Sequence, residues 1–349
     1  MKKALLFLFS FSTLAYENMT IKGYSSCIAC HRSSNGGGLL TEYGKYISDT
    51  SSLIKSKKLI IERGSIDYAL QFRYARIEAN SSVRKFPMQA DLLTSVDLEE
   101  IGTFFIDVAR SPKSQAIASG IESPKQSDLW FFRKAIFQYK NFFIGRERFN
   151  LGLNLVDHTL LNKSLNRMNV SDLITTMGMK SVTKNESYRF FLIGPSFQEN
   201  TKNRESGVAL DYRKYLNTYL NLGAFSFFTK GKTIDRSSLG INLKTSYSMF
   251  ALLYEGIYSR RSFKDNSTLD QTTNLVRLSF LPHLSTLLFA NYERANRNKT
   301  FKLDENRIGY GARIKLWKWL SLQYDHKNIK RNNVEENISV AQVFINFWR

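Results

Sequence analysis

The sequence predicts an all-β fold, a closed antiparallel transmembrane β-barrel of about 16 strands, preceded by a short N-terminal segment. Three observations predict it. Apolar and polar residues alternate over long stretches of the chain, the pattern of strands with one apolar and one polar face. Aromatic residues make up 13% of the 349 residues, with 26 Phe and 17 Tyr, which suits strands and membrane-interface girdles. Beyond a short apolar stretch at the start, no apolar run reaches the roughly 18 residues a membrane-crossing helix needs. The mean hydropathy of −0.30 does not oppose a barrel, because alternating strands average to near neutrality.

The first element reads as a secretory signal at residues 1–15. Lys2 and Lys3 form a charged start, Ala4 to Leu14 an apolar core, and Thr13 and Ala15 offer small side chains for cleavage before Tyr16. Such a leader directs export to an oxidising compartment. Residues 16–64 form a second unit holding both cysteines, a Gly36-Gly37-Gly38 run and a short helix expected around Leu39 to Ile47. The barrel is expected over residues 65–349.

Within it, strands are expected near 66–77, 86–97, 101–110, 127–140, 141–150, 175–183, 188–194, 206–215, 217–229, 237–248, 249–260, 271–282, 284–294, 306–316, 319–329 and 337–348. Ile66, Tyr68, Leu70, Phe72 and Tyr74 alternate with Asp67, Ala69, Gln71 and Arg73. Leu239, Ile241 and Leu243 alternate with Gly240, Asn242 and Lys244, and Ile308, Tyr310, Ala312 and Ile314 with Arg307, Gly309, Gly311 and Arg313. The number is even, as bacterial outer-membrane barrels require. Links such as Leu98-Glu99-Glu100 are short, whereas Ser111 to Ser127 and Arg261 to Leu269 are longer and polar. Short turns at one end and long loops at the other are the asymmetry of such barrels. A soluble sandwich of this many strands would be unusually large, and no fixed-period repeat supports a solenoid. The closing "VFINFWR" resembles the aromatic last strand of outer-membrane proteins, with Trp348 penultimate and Arg349 terminal.

Lys plus Arg number 50 and Asp plus Glu 30, a net charge of +20. Arg73, Lys244, Arg313 and Lys315 fall on the polar face of their strands, which in a barrel is the lumen. A positive lumen attracts anions. Nucleic acid is not expected as a partner, since no recognition motif accompanies the charge. No Ser/His/Asp or paired-carboxylate arrangement supports a hydrolase.

The chemistry concentrates at Cys27-Ile28-Ala29-Cys30-His31, which holds both cysteines of the chain. C-x-x-C-H is the attachment signature of a c-type haem. Two thioethers hold one porphyrin edge, and the next residue then sits under the ring, where its imidazole ligates iron. Two alternatives compete. A Cys27–Cys30 disulfide can form in an exported protein, stapling an N-terminal plug in an anion-selective porin. A zinc site would need more ligands, and the nearest other histidine is His158. For the sixth iron position the candidates are His158, in "NLVDHTLL", then His283, His326, Met19 and Met88. His158 is favoured because Asp157-His158 follows a strand end. A five-coordinate iron would instead suit a haem-dependent enzyme or sensor.

With "CIACH" ahead of a sixteen-stranded pattern, the chain resembles the fused monohaem cytochrome–porins of the outer membrane, best known from iron-oxidising bacteria. The resemblance covers the mature chain in layout, and "CIACH" is its specific motif. It implies one covalent haem c, with Cys27 and Cys30 for attachment and His31 as proximal ligand, on a segment lodged inside the barrel. It further implies electron transfer across the outer membrane of a Gram-negative bacterium. The partners would be membrane lipid, a periplasmic cytochrome or other redox carrier, and an extracellular electron donor or acceptor such as a metal or chelated iron.

Overall fold

The computed structural model describes residues 30–31, 39–50, 66–80, 82–98, 100–110, 130–149, 151–153, 155, 160–166, 168, 173–183, 185–194, 205–298, 302–332 and 334–348. The expected leader at 1–15, Met19, Cys27, residues 51–64 and His158 lie outside the described residues.

Sixteen strands run in order: β1 (Ile66–Ala79), β2 (Ser82–Asp97), β3 (Thr103–Arg110), β4 (Trp130–Tyr139), β5 (Phe142–Arg148), β6 (Leu173–Val182), β7 (Glu186–Gly194), β8 (Glu205–Tyr215), β9 (Leu220–Gly231), β10 (Ile234–Tyr247), β11 (Phe250–Phe263), β12 (Thr268–His283), β13 (Thr286–Arg297), β14 (Asp304–Trp317), β15 (Leu320–Arg331) and β16 (Val334–Trp348). Each pairs antiparallel with its sequence neighbours, and β1 closes the ring on β16 with Ala69 opposite Trp348 and Ala79 opposite Ile338. Closure leaves no free edge, so every strand's backbone groups find partners in an environment without water. Two helices complete the described structure, α1 (Glu42–Thr50) and α2 (Leu161–Leu165).

The expected strands all appear, with different ends. β2 starts at Ser82, β12 at Thr268, β14 at Asp304 and β16 at Val334, and β5 stops at Arg148. Pairing of backbone groups, rather than side-chain apolarity, decides where a ladder ends, so polar residues at one mouth continue it. The expected loop from Arg261 to Leu269 shrinks to residues 264–267, because Arg261 pairs with Leu269 and Arg260 with Asp270 in the ladder. The expected helix at 39–47 shifts to Glu42–Thr50. Leu40 is held extended by an antiparallel bridge to His31, and the Thr41 hydroxyl accepts the Gly44 amide at 3.0 Å, capping the helix.

The two faces of the wall sort as the alternation requires. Ile66, Tyr68, Leu70, Phe72 and Tyr74 of β1 point outward and are exposed, as are Leu239 and Ile241 of β10 and Ile308 and Tyr310 of β14. Their neighbours Asp67, Asn242, Lys244 and Lys315 are buried on the inner face. A 14-residue strand such as β10 is about 47 Å long and, tilted at about 45°, climbs roughly 33 Å, enough to cross a bilayer. Turns at one mouth are short, such as 140–141, 248–249 and 318–319, with Lys140 and Ser248 at positive φ of 50° and 52°. At the other mouth the strand ends are further apart in sequence, Arg110 from Trp130, Arg148 from Leu173 and Gly194 from Glu205, and short hairpins turn at Asn80 and Asn332. By the barrel rule the short-turn mouth is periplasmic. Stacked aromatics mark that rim. Trp317 stacks on Trp319 at 5.4 Å, Trp319 on Phe347 at 5.6 Å, and Phe250 on Phe280 at 4.8 Å. The chain is therefore an outer-membrane β-barrel, with an apolar belt facing lipid and an aromatic girdle at the interface.

Candidate functional site

Described residues of two stretches pack against the inner face of the wall. One is the N-terminal segment carrying Cys30 and His31. Its anchors are residues on the inner face of the periplasmic half. Leu39 packs against Ala69 of β1 and Leu93 of β2. The Lys45 ammonium donates to Asp67 of β1 at 3.3 Å, both side chains nearly sealed. The Lys315 ammonium of β14 donates to the Ser48 carbonyl oxygen at 2.6 Å and also to the Ser48 hydroxyl. The segment thus lies on the wall from β2 through β1 to β14.

Cys30 is buried at 3% exposure. Its carbonyl oxygen accepts the Thr41 amide at 3.0 Å, and His31 is bridged to Leu40. The two residues therefore form one arm of a small ladder whose other arm leads into α1. Gly44 makes this packing feasible, since a Cβ there would collide with the Cys30 carbonyl oxygen. The backbone of α1 reaches the cysteine only because position 44 has no side chain.

The other stretch comprises the described residues between 149 and 168, after β5. Leu151, Leu153, Leu155, Leu160 and Leu161 are buried. Phe149, Leu151 and Met168 join Phe191, Phe225, Phe227 and Ile257 in one cluster, and Leu153, Leu155 and Leu160 join Leu253 and Leu275 in another. Each such side chain contributes about 1.5–3 kcal/mol by leaving water. At the centre, the Lys163 ammonium meets Glu255 of β11 at 2.9 Å and donates to the Leu151 carbonyl oxygen at 2.7 Å. Glu255 also accepts the Leu153 amide and the Asn162 side-chain amide. Burial pulls the Lys163 ammonium below the ordinary lysine value, and the Glu255 carboxylate opposes that shift. The Leu161 amide donates to Glu293 of β13, which Lys327 of β15 meets at 3.3 Å. Gly152 sits at φ +68° beside Glu255 and Phe225, where a side chain would clash, and its carbonyl oxygen accepts from Arg213 at 2.9 Å. Nothing in the sequence reading foretold this inward fold. Its signal was the Leu151-x-Leu153-x-Leu155 spacing beyond the end of β5.

Between the two stretches the wall carries guanidinium groups. Arg73 stands mid-way along β1, and Arg313 on β14 holds Gln323 at 2.8 Å. Arg133 on β4 meets Asp91 of β2 at 2.5 Å. Arg133 is the extra residue of a β-bulge, since Asp107 pairs with Lys134 and Val108 with Phe132. A bulge re-aims a side chain, and here it brings Arg133 into the lumen next to the inward Lys134.

Of the candidate iron ligands, His31 sits in the docked segment. His326 of β15 lies between the buried Asp325 and Lys327 in sequence, so it faces outward. There its ring tilts against Tyr310 at 5.2 Å and its Nδ1 contacts the Ser339 hydroxyl at 2.9 Å. His283 lies at the periplasmic turn with Nδ1 2.7 Å from the Ser285 hydroxyl. Neither position presents an imidazole to the docked segment. Met88 is half-buried at a second bulge, where Arg73 pairs with Gln89 and Tyr74 with Pro87. Among the described residues no group of three or more His, Cys, Asp or Glu could hold a metal ion by itself.

Of the C-x-x-C-H residues the structure describes Cys30 and His31. Both are fixed by backbone pairing with the start of α1, and Gly44 leaves the Cys30 carbonyl oxygen room.

No family model matches the chain, and no curated protein matches its sequence. The fold is similar to that of OmpT of Vibrio cholerae, with a TM-score of 0.64 at 10% identity over 83% of this chain and 100% of that one. It is also similar to the anion-selective porin of Comamonas acidovorans, with a TM-score of 0.57 at 10% identity over 81% and 98%. The outer-membrane channel DcaP of Acinetobacter baumannii gives 0.58 at 10% identity over 81% and 96%. At such identities the likeness is one of fold, and the barrel is porin-like.

Proposed function

We propose that this barrel is an electron conduit of the outer membrane, with one c-type haem attached at Cys27 and Cys30, ligated by His31 and enclosed by the wall. The observation that carries the reading is the docking of the Cys30–His31 segment against inner-face residues of β1, β2 and β14. A haem there supplies a one-electron change at iron. The chain does the rest. His31 is held in a backbone ladder, so its imidazole has a fixed origin. The Lys45–Asp67 pair and the Lys315–Ser48 bonds keep the segment at the periplasmic mouth, within reach of a soluble redox carrier. Cys30 is kept from water. At the outer mouth the donor or acceptor would be anionic or a chelated metal, since a positive lumen repels bare cations.

The test is a pyridine haemochrome spectrum of the full chain matured with a c-type attachment system and extracted from outer membranes. One covalent haem per chain is expected, and the Cys27→Ser/Cys30→Ser variant should lose the Soret band. An unchanged band in that variant, or a haem-free wild type with its thiols oxidised, would sink the reading. The latter result favours a second one, an anion-selective pore whose N-terminal plug is stapled by Cys27–Cys30. The stretch packed inside the wall, with Leu151, Leu153, Leu155 and Leu160 among its residues, speaks for that reading.

A further inference from the structure

We propose that the outer face of β12 to β15 carries a docking site for the phosphate of a membrane lipid headgroup, built from Arg294, Lys330 and the side-chain amides of Asn274 and Asn306. The four residues form one row across the strands. Asn274 of β12 pairs with Arg294 of β13, Arg294 with Asn306 of β14, and Asn306 with Lys330 of β15. Their sequence neighbours Leu275, Glu293, Glu305 and Ile329 are buried on the inner face, so the row lies on the lipid side of the wall. Side chains opposite one another on one face of such a ladder stand about 5 Å apart at Cβ, close enough to share one phosphate.

The amides are set by tyrosines. The Tyr254 hydroxyl donates to Asn274 Oδ1 at 3.1 Å, and the Tyr292 hydroxyl donates to Asn306 Oδ1 at 3.3 Å. With its oxygen engaged, each amide offers its NH2 group. Gly256 pairs with Asn274, and a Cβ there would stand 2.6 Å from the Tyr254 hydroxyl, so the first of these bonds depends on a residue without a side chain. The row thus presents a guanidinium, an ammonium and two amide donors, a set that suits phosphate oxygens. The carboxylates of this face do not displace such a ligand. Asp270 accepts from Arg260 and Tyr258, both at 2.7 Å. Asp304 stands one outward position nearer the mouth, opposite Asn296. Glu335 meets Lys330 at 3.5 Å with the two side chains 63% and 54% exposed, a pairing that water already weakens. Position decides the occupant. Lys330 is the penultimate residue of β15 and Arg294 lies three residues before the end of β13, so the row reaches the outer mouth. Directly below it the outward residues turn apolar, with Tyr292, Ile308, Leu288 and Tyr310 exposed to lipid. A lipid can lay its acyl chains on that belt while its phosphate meets the row, which a dissolved phosphate cannot do.

The site lies outside the barrel and does not depend on the proposed function. Native mass spectrometry of the full-length protein in detergent tests it, with phosphatidic acid as the probe and phosphatidylcholine, whose phosphate is a diester beside a choline cation, as the comparison. Phosphatidic acid should bind the more tightly of the two. Arg294→Gln/Lys330→Gln should weaken its binding about tenfold and leave that of phosphatidylcholine unchanged. Arg76→Gln removes an outward cation of β1 away from the row and should change neither. Binding that is indifferent to the double change overturns the site, and equal weakening by Arg76→Gln does so by showing diffuse attraction to charge. Displacement of phosphatidic acid by inorganic phosphate at the same concentration overturns the lipid as occupant. An oligomer that dissociates in Arg294→Gln/Lys330→Gln overturns it too, by giving the face to a second copy of the chain. Heat-modifiability on gels confirms a closed barrel in each variant, and the single changes Arg294→Gln and Lys330→Gln carry the comparison where the double change prevents insertion.

Discussion

Position 44 shows how one missing side chain sets the geometry of the N-terminal segment. The Thr41 hydroxyl caps the helix at Gly44, and the same residue lets the first turn rest on the Cys30 backbone. Any Cβ meets a carbonyl oxygen, which is backbone and cannot swing aside. Gly44→Val should therefore cost about 1–3 kcal/mol of docking while leaving the ladder of the barrel untouched. Limited proteolysis of reconstituted protein checks this. The N-terminal segment should become cleavable while the 65–349 barrel stays resistant. A variant whose segment is as protected as wild type would show that α1 does not need the close approach. "CIACH" itself is legible because covalent attachment needs fixed spacing. The glycine is not legible, since its role depends on a helix start displaced to Glu42 by the Leu40 bridge.

At the scale of elements, the inner segment shows where pattern reading stops. The strands announce themselves through period-two alternation, because each wall residue faces either lipid or lumen. The described residues between 149 and 168 face neither in a regular way. Leu151, Leu153, Leu160 and Lys163 are buried by a wall that is distant in sequence, and no local rule points from Lys163 to Glu255, 92 residues away. That pair is the keystone of the element. Glu255 receives the ammonium, the Leu153 amide and the Asn162 amide together. Glu255→Ala leaves Lys163, 1% exposed in its side chain, without its countercharge. Breaking a buried pair from one side costs about 3–5 kcal/mol. The cost should fall on the segment rather than on the ring of strands. Hydrogen exchange in detergent or bilayer discs would read it as lost protection at Leu153 with protection of β10 and β12 retained. Unaltered exchange at Leu153 would mean that the leucine clusters alone hold the segment.

At the scale of the whole molecule, two solvents shape one wall. Aromatic and aliphatic residues outside meet lipid, and charged residues such as Asp67, Lys244, Glu255 and Lys315 lie inside. The same substitution should then have opposite consequences on adjacent residues. Ile241 is 54% exposed near the middle of β10, with Lys244 on the inner face three residues on. An arginine at a lipid-facing midplane site costs about 2–4 kcal/mol, so Ile241→Arg should lower the denaturant midpoint of the reconstituted barrel by a corresponding amount. Asn242→Arg, one residue along and facing the lumen, should leave lipid contact unchanged and register instead as a change in ion selectivity. Comparing the two variants in the same bilayer separates the faces. If Ile241→Arg were as stable as wild type while Asn242→Arg prevented insertion, the belt would have to be assigned to the other side of the wall. With it would fall the placement of Arg73, Arg133 and Arg313 inside.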